Sequence, residues 1–200
     1  MVEALPIEAG QLVVDTCAAP GGKATAMAAR GARVLGADLR LKRVGLVAQN
    51  AAATEAGRPD GAALWPVVSD ARSLPLGDAS VDGVLVDAPC SGLGVLRRRP
   101  DARWRISADD VTRLAVIQRD VLGEAARVVA PGGWLAYSVC TLTRAETIEV
   151  AEWFAATHPE FETEAVSGFP WEQLGTGARL LPQSDDGDGM ALFVWRRAKA

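Results

Sequence analysis

The chain has 200 residues, 49% of them hydrophobic and 23% charged, with a formal net charge of −4. That composition excludes a disordered chain, supports a core of ordinary size and contains no apolar stretch long enough to span a bilayer; the acidic balance, taken alone, speaks against electrostatic coating of nucleic acid. A single histidine, His158, excludes a Ser-His-Asp hydrolase and a multi-histidine metal site, and three widely spaced cysteines (Cys17, Cys90 and Cys140) fit neither a disulfide framework nor a CxxC zinc site.

The opening MVEALPIEAG carries neither a basic segment nor an apolar core, so no secretory leader is read, and a reducing, cytoplasmic setting is expected. Short apolar runs then alternate with helical patterns, the mark of an α/β chain with a parallel sheet. Residues 11–15 (QLVVD) read as a first strand and 23–30 as a first helix. Arg33–Asp38 is a second strand, followed by a helix over 41–56 that ends near Gly57. Residues 64–70 (LWPVVSD) are a third strand, weakened by Pro66, and Val81–Asp87 a fourth. A long helix over 109–130 stops at Pro131-Gly132-Gly133, and 134–140 (WLAYSVC) form a fifth strand. A helix over 144–157 follows, and 161–166 and 191–195 read as strands able to pair antiparallel. The whole chain, 1–200, reads as one domain.

Four predicted strands end in aspartate (Asp15, Asp38, Asp70 and Asp87) and the fifth in Cys140. The carboxyl ends of parallel strands share one edge, where ligands bind. One aspartate at such a place is ordinarily a turn or cap residue; a row of them suits hydroxyls and amines rather than phosphates. Between the first strand and first helix lies Cys17-Ala18-Ala19-Pro20-Gly21-Gly22-Lys23. Its glycines permit either a plain tight turn or close approach of a ligand to the N-terminus of the helix. It is neither GxGxxG nor a P-loop, so a nucleoside with few phosphates fits better than a dinucleotide or nucleotide. S-adenosylmethionine meets that description, with its amino-acid end at the glycine turn, its ribose at Asp38 and its adenine near Asp70.

An isolated free cysteine is most often a small buried hydrophobe, the reading kept for Cys17. Cys90 and Cys140 follow the fourth and fifth strands, neighbours in the expected sheet, which puts both thiols at the ligand edge. Thiolates are strong nucleophiles, and no histidine stands by as in a papain-like hydrolase. Arg97, Arg98, Arg99, Arg103 and Arg105, with Trp104 among them, follow Cys90 in sequence. They are either a solvated basic face or a phosphate-contacting segment with a stacking indole; their place beside the thiols favours the second. Trp134, Trp153, Trp171 and Trp195 read as packing residues and His158 as a helix C-cap.

DTCAAPGGK, DAPCSGLGVLRRRPDARW and YSVCTLT resemble the motifs of bacterial ribosomal-RNA cytosine 5-methyltransferases of the Sun/Fmu type. The resemblance runs from Leu12 to Trp195 and includes the closing DGDGMALFVW. It implies a Rossmann-like, seven-stranded, mostly parallel sheet with a C-terminal antiparallel strand, binding S-adenosylmethionine. It further implies that Cys17, Ala18, Ala19, Pro20, Gly21, Gly22, Lys23, Asp38, Asp70 and Asp87 line the cofactor site. By the same resemblance Cys140 is the nucleophile on carbon 6 of cytosine, Cys90 assists release of the product, and Asp87 contacts N3 or the exocyclic amine. RNA, most readily ribosomal, is the implied partner, with no metal and no membrane. Val139 stands where the family usually has threonine, and the chain starts shortly before its first strand, without the family's N-terminal RNA-binding region; the expectation is therefore a catalytic domain alone. Two other readings are a cofactor- or RNA-binding module inactive without that region, and a methyltransferase for protein or small molecules. The cysteine pair argues against the latter, because methylation at nitrogen or oxygen needs no thiol nucleophile.

Overall fold

The computed structural model describes residues 1–54, 64–185 and 187–199. In chain order the elements are β1 (Leu12–Asp15), α1 (Gly22–Ala29), β2 (Arg33–Asp38), α2 (Leu41–Ala53), β3 (Leu64–Val68), β4 (Val81–Asp87), α3 (Ala102–Arg105), α4 (Ala108–Val128), β5 (Val129–Val139), α5 (Ile148–Thr157), β6 (Phe161–Glu164), β7 (Glu172–Leu174), β8 (Gly177–Leu180), α6 (Pro182–Asp185) and β9 (Met190–Arg197). The described strands form one sheet in the order β3-β2-β1-β4-β5-β9-β8-β7, with β6 also paired to β9. The pairings from β3 through β5 are parallel and those involving β6 to β9 antiparallel, as expected of a mixed sheet with an antiparallel C-terminal part. Strand order reverses between β1 and β4, so the crevice of an open α/β sheet lies at the carboxyl ends of these two strands.

The period-two alternation of the strands divides the core. Val14, Val84, Val86, Leu135 and Tyr137 pack with Val121, Leu122 and Ala125 of α4 and with Val150 and Phe154 of α5. Val13, Val34, Leu85, Trp134 and Ala136 pack on the other face with Ala24 and Met27 of α1 and Val47 of α2. Both faces of the parallel strands are thus covered, which is why these runs read as continuous apolar segments. Trp134 and Trp195 are fully buried, Trp153 and Trp171 lie partly buried against the core, and His158 caps α5 by donating its backbone N–H to Phe154 O (2.9 Å).

Several sequence-derived bounds need correction. Among the described residues the sheet has nine strands rather than seven, because the hairpin β7–β8, turned at Gly175, adds a short edge beside β9. Nothing in Glu172-Gln173-Leu174 carries the apolar alternation that would mark such a strand. The third strand stops at Val68 instead of Asp70: the Asp70 carboxylate accepts the Arg72 N–H (2.9 Å), a local turn that competes with the ladder. Helix α4 begins a residue early because Ser107 and Asp110 form a reciprocal capping box. It ends at Val128, and the chain passes directly into β5, since Val129 pairs with Val81 before the ladder jumps to Gly83–Trp134. Pro131-Gly132-Gly133 therefore make an irregular entry to the strand, not a loop after the helix. The helix expected over 144–157 is split: Arg144–Glu146 form a 3-10 turn, and the Thr147 hydroxyl donates to Thr143 O (2.7 Å) before α5 starts. Helix α2 ends at Ala53; residues 55–57 lie outside the described residues. Among the described residues no helix is long and apolar enough to cross a membrane.

Candidate active site

The turn after β1 is tied to its neighbours by backbone bonds. Thr16 N–H donates to Leu85 O (3.0 Å) and Ala18 N–H to Ala37 O (2.8 Å), stitching the turn to β4 and β2. Gly21 caps α1 at φ 116°, a conformation suited to glycine, and a Cβ there would sit 3.1 Å from Val47 Cα. From α2, Arg43 Nη2 donates to Ala19 O (2.9 Å) and Asn50 Nδ2 to Pro20 O (2.7 Å). Lys23, in the first turn of α1, reaches across to β4, where its Nζ pairs with Asp87 Oδ2 at 2.6 Å.

The strand-end aspartates have separate environments. Asp15 is fully buried; its Oδ1 accepts a long bond from Cys17 N–H (3.4 Å), and its Oδ2 has no hydrogen-bond partner. Burial raises its pKa to about 8; the charge of Asp87 pushes the same way, while Lys23 opposes both. Asp38 is buried and held by two donors, Arg40 N–H (3.1 Å) and Arg43 Nε (2.9 Å). Asp70 lies beyond the end of β3 and is engaged by the Arg72 side chain and backbone, whose hydrogen bonds keep its carboxyl below the usual range.

Because β4 and β5 are adjacent and parallel, with Asp87 opposite Ser138, the loops leaving them run side by side. Cys90 Sγ and Cys140 Sγ approach to 3.2 Å. The hydrogen bond from the Cys90 thiol lowers the pKa of Cys140, with Lys23 helping and burial and Asp87 opposing; that same bond, together with burial, pushes Cys90 upward. The pair is accordingly polarised so that Cys140 loses a proton more readily than Cys90. Cys17 is a different kind of cysteine: burial raises its thiol to about 12, in keeping with a packing residue.

The arginine segment leaves this site on its surface side. Gly94, in the 3-10 turn Leu93–Val95, donates its N–H to Cys140 O (3.0 Å) and accepts from Gly189 N–H (2.8 Å); a Cβ on Gly94 would lie 2.0 Å from Gly189 O. Gly189, just before β9, is thus packed against the loop beside the nucleophile candidate. Arg97, Arg98, Arg99, Arg103, Trp104 and Arg105 are all exposed. Arg98 is ion-paired with Asp188, Arg105 with Asp101 (3.4 Å), and the Arg103 guanidinium stands 5.6 Å from the centre of the Trp104 ring. Trp104 itself is 84% exposed.

Two residues outside the sequence-derived site belong to its architecture. Asp15 was visible as one of the strand-end aspartates, but nothing in the sequence marked its unpartnered oxygen. Glu146 gave no signal: it reads as an ordinary helical glutamate, yet it is fully buried and hydrogen-bonded to residues flanking both thiols.

Comparison with known proteins identifies the family and the fold. A family model described as 16S rRNA methyltransferase RsmB/F matches residues 2–194. The ribosomal RNA small subunit methyltransferase B of Thermus thermophilus is 38% identical over 184 residues, covering 92% of this chain and 44% of that protein. The probable methyltransferase B of Bacillus subtilis is 39% identical over 170 residues, covering 82% of this chain and 37% of that one. The chain thus spans less than half the length of these curated relatives. A crystal structure of PH0851 superposes with a TM-score of 0.89 at 30% identity, covering 98% of this chain and 44% of that one. NSun6 from Pyrococcus horikoshii, solved with SFG, shares the fold with a TM-score of 0.83 at 24% identity, covering 100% of this chain and 51% of that one. The family-model match along nearly the whole chain, with relatives at 38% and 39% identity, shows that this protein belongs to the 16S rRNA methyltransferase RsmB/F family.

Proposed function

We propose that the protein methylates carbon 5 of a cytosine in RNA, with 16S ribosomal RNA as the substrate class, through a covalent adduct on Cys140. The observation that carries this reading is the 3.2 Å approach of Cys90 Sγ to Cys140 Sγ beside the Lys23–Asp87 pair. Methylation of an amine or hydroxyl would leave that thiol pair without a task.

The residues fit S-adenosylmethionine. The buried Asp15 Oδ2 is a polar atom with no partner and can hydrogen-bond the cofactor's amino-acid end, Asp38 at the end of β2 can accept from ribose hydroxyls, and the turn from Cys17 through Lys23, with Asp70 and Asp87, completes the wall. When bound, the cofactor supplies a methyl group made electrophilic by its sulfonium. Carbon 5 of cytosine is a poor nucleophile until Cys140 prepares it. The Cys140 thiolate attacks carbon 6, forming a carbon–sulfur bond and shifting the ring electrons so that carbon 5 becomes enamine-like. Asp87, contacting N3 or the exocyclic amine, favours a proton at N3 and so stabilises the adduct. After methylation the carbon 5 proton is lost to a base, the carbon 5–carbon 6 double bond re-forms, and Cys140 leaves as thiolate. Cys90, whose thiol is raised and whose sulfur lies 3.2 Å from that of Cys140, assists that departure by hydrogen bonding to the leaving sulfur. A base within a duplex cannot reach this site, so the target is single-stranded or flipped out. The exposed arginines at positions 97, 98, 99, 103 and 105 supply phosphate contacts, with Trp104 as a stacking surface.

RNA carrying 5-fluorocytosine tests the reading, because fluorine replaces the proton that must leave. A denaturation-resistant protein–RNA adduct is expected, and it is expected to vanish in Cys140→Ala. Cys90→Ala is expected to accumulate a stalled adduct on ordinary RNA. An adduct that survives Cys140→Ala overturns the nucleophile assignment, and normal turnover by Cys90→Ala overturns the release role.

A further inference from the structure

We infer that Glu146 is a positioning residue that sets the spacing of the two working thiols, an inference resting on the proposed cysteine chemistry. Its carboxyl group is fully buried between the loops that carry Cys90 and Cys140. Oε1 accepts from Ser91 N–H (2.8 Å) and from Gln118 Nε2 (3.1 Å). Oε2 accepts from the Ser91 hydroxyl (2.6 Å) and the Thr143 hydroxyl (2.8 Å). Ser91 follows Cys90 directly, and Thr143 lies on the loop that begins at Cys140. The Ser91 and Thr141 hydroxyls, one on each loop, are also 3.0 Å apart.

The same node is anchored below. Gln118 of α4 donates from Nε2 to Pro89 O (3.0 Å), so Cys90 is bracketed on both sides by bonds that end on Gln118 or Glu146. Tyr137 of β5 places its hydroxyl 2.9 Å from Gln118 Oε1 and 2.7 Å from the Glu146 carbonyl oxygen. Gln118 and Tyr137 are themselves buried. Helix α4, strand β5 and both thiol loops therefore meet at one residue, α4 and the two loops through its carboxylate and β5 through its backbone carbonyl. A carboxyl group here costs desolvation, and an apolar residue would fill the space more cheaply if packing were its only task. What an apolar residue cannot do is accept from both loops at once and so hold Cys90 Sγ against Cys140 Sγ.

Geometry rather than charge is the operative property. In Glu146→Gln the amide oxygen still accepts from Ser91 N–H and Gln118, and the amide NH2 donates to the Ser91 and Thr143 hydroxyl oxygens, which reverse their roles. In Glu146→Ala the two loops lose their common anchor.

The spacing is read directly with diamide, which takes up the two thiol hydrogens as a Cys90–Cys140 disulfide forms; the bond is located by peptide mass mapping. Glu146→Ala is expected to slow both this closure and single-turnover adduct formation by about 10²-fold, the scale of a roughly 1 Å misplacement. S-adenosylmethionine affinity is expected to stay within about twofold, and Glu146→Gln to behave like wild type in all three assays. A folded Glu146→Ala whose closure and adduct rates match wild type, whatever its melting temperature, overturns the inference by reducing Glu146 to a structural residue. Loss of both rates in Glu146→Gln also overturns it, in favour of a role for charge. Where Glu146→Ala does not fold, Ser91→Ala removes one hydroxyl donor from the node and is expected to slow closure by a smaller factor; an unchanged rate there overturns the inference as well. Diamide closure needs no RNA, so wild-type protein that closes readily but forms no RNA adduct refutes the proposed function and not the positioning role.

Discussion

Replacing Asp15 by asparagine keeps the shape of the side chain and removes its titration. Asp15 is fully buried at the end of β1, its Oδ2 unpartnered, and burial lifts its pKa from 3.8 to about 8. The unfolded chain sheds this proton by about pH 5, whereas the folded protein keeps it until about pH 8. Through that window the native state holds one proton more than the unfolded state. Asp15 therefore makes the fold less stable as pH rises, by about 1.4 kcal/mol per pH unit at the limit of complete differential protonation. Between about pH 5 and about pH 7 the stability of Asp15→Asn relative to wild type should thus rise by about 3 kcal/mol. Asp87, Lys23 and Asp38 are the other charged groups that bear on Asp15, and they are present in both proteins. Urea unfolding followed by tryptophan fluorescence is the assay, since Trp134 and Trp195 are fully buried and report the core. A difference between the two proteins that stays constant to within about 0.5 kcal/mol across this range would refute the reasoning, because the carboxyl would then titrate alike in both states.

Two further outcomes follow from the site. Iodoacetamide near neutral pH should modify Cys140 before Cys90 and Cys17, whose thiols are both raised; labelling of Cys90 or Cys17 ahead of Cys140 would contradict that ordering. Arg103→Ala should lower the slope of log affinity against log salt for single-stranded RNA by about 0.7 without changing cofactor affinity, and an unchanged slope would remove this segment from the RNA interface.

Much of the scaffold was readable from local pattern. The apolar runs Arg33–Asp38 and Val81–Asp87 are strands with the bounds read from sequence, each ending on an aspartate that is the last paired residue of its ladder, Asp38 opposite Val68 and Asp87 opposite Ser138. Their parallel pairing followed from the alternation of strands with helices, and the placement of Cys90 and Cys140 at one edge followed from that pairing. Bounds failed where a distant partner overrode a local signal. Pro131-Gly132-Gly133 look like a helix stop with a loop to follow, yet Val129 is already paired with Val81. The β7–β8 hairpin was missed because its pairing with β9, rather than its own pattern, makes it a strand.

The sequence by itself determined the family, the order of the parallel strands β1 to β5, the glycine turn after β1 and the identity of the two cysteines that meet, since these reside in contiguous motifs whose spacing is set by a single turn or strand. Only the tertiary structure decided how those motifs meet. The Cys90–Cys140 contact joins residues 50 apart, the Lys23–Asp87 pair residues 64 apart and the Glu146–Ser91 bond residues 55 apart. Such contacts depend on which strands lie side by side and in what register. The burial that leaves Asp15 protonated near neutral pH and fastens Glu146 between two loops arises only when both faces of the sheet are covered.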